Sequence, residues 1–166
     1  MKTNLVDLIS QVSQLEKDYS ELKYRLSNHS MNTRIIELNG NSQMLDEYLD
    51  FKDDFMKFFE IEKEITKLKG IIFEKNNSLK LNNGYTIQQA LVDIKNKRTA
   101  LDLIEYLANQ TPYKKRTSET NNSYFTSKEL NYDKNTMISL REDLRNQIQQ
   151  MELEISQLNS EMFDIN

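Results

Sequence analysis

Apolar residues recur along this chain with two regular signatures, one at each end. Leu5, Leu8, Val12, Leu15, Tyr19, Leu22 and Leu26 follow alternating steps of three and four, the spacing of a heptad seam. Leu144, Ile148, Met151, Ile155, Leu158, Met162 and Ile165 repeat that spacing at the other end. A stripe this narrow suits a helical partner more than a broad core. The pattern predicts helices over about residues 4–28 and 136–163.

Two wider stripes lie between them. Met44, Leu45, Tyr48, Leu49, Phe51, Phe55, Phe58, Phe59, Ile61, Ile65, Leu68 and Ile72 predict a helix over about 43–75, with Ser42 as its N-cap and Asp46 and Glu47 in its first turn. Ile87, Leu91, Ile94, Leu101, Ile104 and Ala108 predict another over about 87–110. Its start is marked by a capping box, Thr86 with Gln89, behind an Asn83-Gly84 turn, and Pro112 stops it. Residues 28–41 read as polar turn formers around a short apolar patch, Ile35-Ile36-Leu38. Residues 111–135 are too long for an ordinary connection. Tyr113, Tyr124, Phe125, Leu130 and Tyr132 make them too aromatic for plain disorder.

These elements predict an all-α fold: a long antiparallel helical hairpin or coiled-coil bundle, forming one elongated helical domain over 1–166. An aromatic-polar arm at 111–135 would form short strands in part, or pack on another helix or subunit. Leu5, Leu8, Val12, Leu15 and Leu22, with Leu144, Ile148, Met151, Ile155 and Leu158, form the expected oligomer seam. Periodicity leaves open whether the end helices pair within one chain or across two. The surplus of aromatic stripe in the second helix favours a homo-oligomer.

Composition narrows the chemistry. The 166 residues include no Cys, one His, one Pro and three Gly, which removes disulfides, thiol nucleophiles and a structural zinc site within one chain. The net charge of −4 advertises no nucleic-acid partner. No apolar run is long enough to span a membrane, and the first twenty residues lack a signal-peptide pattern, so a cytoplasmic protein is expected. Asn occurs eighteen times and Lys outnumbers Arg sixteen to six, as AT-rich codons favour, so single surface Asn or Lys residues carry little functional weight.

Candidate functional groups are few, and no cofactor is implied. His29 falls at the end of the first helix, where imidazole favours the dipole. Asp46, Asp50, Asp53 and Asp54 have the helical spacing with which all-α nucleotide pyrophosphatases hold magnesium, although a solvated helix face gives the same pattern. Lys114-Lys115-Arg116 is the one basic cluster, expected to pair with the acidic second helix of a neighbour. The favoured reading is a non-enzymatic, self-associating helical protein, an assembly or a binding scaffold. The magnesium-dependent hydrolase is the alternative within the chain's own chemistry.

The run IIFEKNNSLKLNNGYTIQQALVDIKNKRTALDLIEYL resembles the centre of a family of small bacterial helical proteins, some labelled septicolysin-like. Asn76, Gly84, Thr86, Ala90 and Leu91 match its middle motif; Phe125, Glu129, Leu130 and Tyr132 match its arm loosely, and Asn159 its last helix. The resemblance covers about residues 65–166. Ile87 stands where the family usually has Leu, Phe73 where it tends to have Asn, and Ser127 where the arm usually has Arg. The resemblance implies a helical-hairpin fold and a homo-oligomer, and its label adds a cytolysin as a further alternative.

Overall fold

The structure, a computed structural model, describes residues 2–119 and 122–165. In order these form β1 (Lys2–Thr3), α1 (Leu5–Asn28), β2 (Thr33–Ile36), β3 (Ser42–Asp46), α2 (Phe51–Ser78), α3 (Ile87–Ala108), β4 (Tyr113–Glu119), β5 (Asn122–Lys128), α4 (Lys134–Ser160) and β6 (Phe163–Asp164). They divide into two compact units, Met1–Asn76 with Asn159–Asn166, and Asn77–Leu158. Met1 and Asn166, at the ends of the expected domain, and Thr120 and Asn121, inside the expected arm, lie outside the described residues.

In the first unit Asn4 caps α1, its side chain accepting from the Asp7 N–H at 2.8 Å. The N-terminal half of the α1 stripe, Leu8 and Val12, packs on Leu68, Ile71 and Ile72 of α2. The C-terminal half, Leu22 and Leu26, packs on Ile61, Phe58 and Phe51. The start of α1 therefore meets the end of α2, and the two helices are antiparallel. Strands β1 and β6 pair as Lys2↔Asp164 and Thr3↔Phe163. That pairing brings Phe163 onto the Leu8 cluster, where the Lys75 ammonium lies 4.5 Å from its ring centre.

In the second unit α3 and α4 are also antiparallel, tied by the ion pairs Arg98–Glu152 and Arg145–Glu105. The expected capping box forms in full: Thr86 accepts from the Gln89 N–H at 3.2 Å, and Gln89 accepts from the Thr86 N–H at 2.9 Å. Thr86→Ala is expected to destabilise this unit by about 1 kcal/mol, read as a lower urea midpoint, with Thr86→Ser recovering most of the loss. Asp133 starts α4, its carboxylate accepting from the Thr136 hydroxyl and from the Thr136 and Asn135 N–H groups. These bonds, led by the Thr136 hydroxyl, hold it below the usual carboxylate range.

The all-α hairpin or coiled-coil bundle is overturned: three two-stranded antiparallel sheets accompany the helices among the described residues. One reason sits at Asn39-Gly40. The Glu37 carbonyl accepts from the Gly40 N–H at 3.0 Å, the Glu37 N–H donates to the Asn41 carbonyl at 2.8 Å, and Gly40 takes φ +89°. This is the three-residue hairpin loop with glycine in its left-handed position. It commits Ser42–Asp46 to strand β3, so Ser42 caps no helix and α2 begins only at Phe51, with Asp53 and Asp54 as its first-turn acids. Residues 111–135 likewise hold a seven-residue strand on each side of Thr120 and Asn121. At the far end α4 stops at Ser160, so Met162 and Ile165 leave the helical stripe.

Candidate interaction surfaces

The two seams are used inside the chain. Leu5, Leu8, Val12 and Leu22 are buried in the first unit and Leu15 half-buried; Ile148, Met151 and Ile155 are buried, with Leu144 and Leu158 half-buried. Apart from these seams, two places expose apolar or charged side chains.

The first is the outer face of α2. Once Phe51, Phe58 and Ile61 have turned toward α1, a second stripe remains. Lys52, Phe55, Met56 and Phe59 fall at helical i, i+3, i+4 and i+7 positions, one face of a helix. Phe55 and Phe59 are 45% exposed and Met56 57%. The Phe55 and Phe59 rings meet edge to face with centres 5.2 Å apart. Phe59 continues edge-on to Phe58, which stacks on Tyr19 at 4.3 Å. The outer rings are thus fixed by a chain of aromatic contacts from the interior. The same unit also exposes Ile36, Leu38, Leu45 and Leu49.

The acids of this region do not assemble as a metal site. Asp54 accepts from the Tyr48 hydroxyl and pairs with Arg25 at 3.2 Å. The bond to Asp54, with partial burial behind it, keeps the Tyr48 phenol above its ordinary value. His29 ends α1, its backbone N–H donating to the Arg25 carbonyl at 3.1 Å, and its ring lies 5.4 Å from that of Tyr48. Asp46, Glu47, Asp50 and Asp53 have no ion-pair partner among the described residues. Among those residues no three His, Asp or Glu groups come together as a metal cluster.

The second place is the β4–β5 hairpin, with register running from Tyr113↔Lys128 through Arg116↔Phe125 to Glu119↔Asn122. Alternation puts Tyr113, Lys115, Tyr124 and Lys128 on one face, and Lys114, Arg116 and Phe125 on the other. Nearly every residue on both faces is exposed, Phe125 at 62%. Each face pairs a cation with a ring: the Lys128 ammonium lies 5.7 Å from the Tyr113 ring centre, and that of Lys114 lies 4.8 Å from Phe125. Below the hairpin, Tyr132 donates to the Leu107 carbonyl at 2.6 Å and Lys134 to that of Gln110 at 3.0 Å. These bonds satisfy the open end of α3 and anchor the base of the hairpin. Leu130, beside them, is half-buried.

No family model, curated protein or solved structure matches this chain. Its surfaces therefore stand on their own chemistry. No helix among the described residues is long and apolar enough to cross a membrane.

A polar cleft of about 670 Å³ lies along α3 and α4, lined by Asn83, Tyr85, Asp93, Lys97, Asn146 and Glu154 among others. Its charges already answer one another. Asp93 pairs with Lys97 at 3.5 Å, and Glu154 accepts from the Gln150 side chain at 2.8 Å and the Asn82 N–H at 2.9 Å. Those bonds, Gln150 first, lower the Glu154 pKa. The hairpin of β2 and β3 escaped the helical periodicity reading, although Asn-Gly beside the β-branched run Thr33–Ile36 was its signal.

Proposed function

We propose that this chain is a non-enzymatic, self-associating scaffold that works as a homo-oligomer in the cytoplasm. The observation that carries the reading is the second apolar stripe of α2, Phe55, Met56 and Phe59, still exposed after the first stripe has been covered by α1. An apolar patch of this kind on a soluble chain marks an interaction surface. Scattered apolar residues need no explanation, but rings at i and i+4 held by an aromatic chain from the interior form one preorganised patch. The mode of association rests on this patch and not on the heptad seams.

The expected result is a mass above the monomer at micromolar concentration by sedimentation velocity. The double variant Phe55→Ser/Phe59→Ser should shift that population toward monomer while its far-UV circular dichroism stays unchanged. A wild-type chain that remains monomeric up to about 100 μM, an affinity bound of roughly −5 kcal/mol, would defeat the proposal.

We also propose kinship with the septicolysin-like helical proteins. Support comes from three of the five middle-motif residues: Gly84 takes φ +84°, Thr86 completes a capping box and Ala90 is fully buried.

A further inference from the structure

We infer that the β4–β5 hairpin of one copy is the element that docks on the acidic, apolar end of the first unit of a second copy, around Phe55, Met56 and Phe59. This rests on the self-association proposed above and gives it a partner surface.

Charge complementarity chooses the occupant. Between Tyr113 and Lys128 the hairpin carries four cations, Lys114, Lys115, Arg116 and Lys128, against one anion, Glu119. Residues 31–59 carry six anions, Glu37, Asp46, Glu47, Asp50, Asp53 and Asp54, against three cations, Arg34, Lys52 and Lys57. The two regions thus carry equal and opposite net charges, three units each. The four hairpin cations have no ion-pair partner among the described residues, and neither do Asp46, Glu47, Asp50 and Asp53. Both sets of charges are therefore open to an external partner. Opposed patches of this kind steer encounter and fix register more than they add affinity.

The apolar parts complement one another too. Phe125 is 62% exposed beneath the Lys114 ammonium, and Tyr113 and Tyr124 are exposed on the opposite face. An isolated two-stranded hairpin is marginal in water, yet this one extends seven residues on each side with neither face covered. The exposed helix face of Phe55, Met56 and Phe59, in a segment whose Asp50 and Asp53 have no ion-pair partner among the described residues, offers its rings an apolar seat and its cations counter-charges. An acidic, apolar surface is a poor seat for an anionic membrane, which leaves a basic, aromatic protein segment as its fitting occupant.

The contact joins two different surfaces, so it is heterologous. Each docked pair leaves one hairpin and one acidic patch unused, and the assembly closes as a ring or continues as a chain.

Charge reversal tests this. Lys114→Glu/Arg116→Glu reverses the hairpin, and Asp50→Lys/Asp53→Lys reverses the patch; all four side chains are exposed. Each variant alone should associate about a hundredfold more weakly than the wild type, because like charges now face each other. An equimolar mixture should recover assembly, since each variant supplies what the other lacks. Circular dichroism of the single variants verifies that both still fold. Association of either variant at wild-type strength, or a mixture that stays monomeric while the wild type assembles, overturns the hairpin contact and leaves self-association standing. A monomeric wild type overturns both. If the hairpin variant loses only binding to phosphatidylglycerol vesicles, with self-association intact, the occupant is a lipid surface and the inference is wrong.

Discussion

Replacing Leu8 with alanine is expected to destabilise the first unit by about 2–5 kcal/mol. Leu8 is 2% exposed and sits among Val12, Leu68, Leu15, Ile71, Ile72, Phe163 and Ile165. Three separate segments meet in that cluster, α1, α2 and the C-terminal stretch with Phe163 and Ile165, so a void there is not closed by the shift of one element. The neighbouring Ile9 is 44% exposed, and Ile9→Ala should change stability by no more than about 0.5 kcal/mol. Urea unfolding measures both, and hydrogen exchange at α1 amides assigns the loss to the first unit, since a chain of two units need not unfold in one step. Equal losses at the two positions would contradict the packing described here.

Ala90→Asp should be the most damaging single change in the second unit. Ala90 has no exposed surface, so a carboxylate there is both too large and without a partner, at a cost of several kcal/mol. Val92→Asp, two residues along the same helix at a 53% exposed position, isolates the effect of burial from that of helix propensity. The pH dependence has a definite sign. Burial raises the folded-state pKa of the new carboxyl above the unfolded value of about 3.9. The penalty is therefore smallest below about pH 4 and grows as pH rises through the raised value. Chemical denaturation at pH 4 and pH 7 checks this; a penalty independent of pH would mean that the carboxylate reaches water.

Among the residues of the two apolar stripes, Leu5, Leu8, Val12, Leu22, Leu26, Ile148, Met151 and Ile155 are buried, while Leu15, Leu144 and Leu158 are half-buried and Met162 is exposed. Periodicity could not say what covers the buried ones, because a stripe of leucines fits any complementary stripe and α2 and α3 offer one each. The start of α2 was misread for a more local reason. Met44, Leu45, Tyr48 and Leu49 continue a helical spacing by coincidence, while the Asn39-Gly40 loop bonds set the following residues into a strand. The exposed rings of α2 were visible as an excess of aromatic residues, yet only the packing separates Phe58, which stacks on Tyr19, from Phe55 and Phe59 outside. The basic cluster was legible as three adjacent charges. Its distribution over two faces, with Lys128 joining across the register, depends on strand pairing that residue types alone do not express.

The loop at Glu37–Asn41 has a twin. At Leu81–Tyr85 the Leu81 N–H again donates to the carbonyl four residues on, the Gly84 N–H donates back to the Leu81 carbonyl, and the Asn83 side chain accepts from the N–H two residues later, as Asn39 does. Asn-Gly pairs are the sites where proteins age fastest, because the glycine nitrogen attacks the asparagine amide to form a cyclic imide. In both loops that nitrogen is engaged by a carbonyl and the amide oxygen is held facing another N–H. In the folded chain these bonds hold both asparagine side chains and both glycine nitrogens away from that attack.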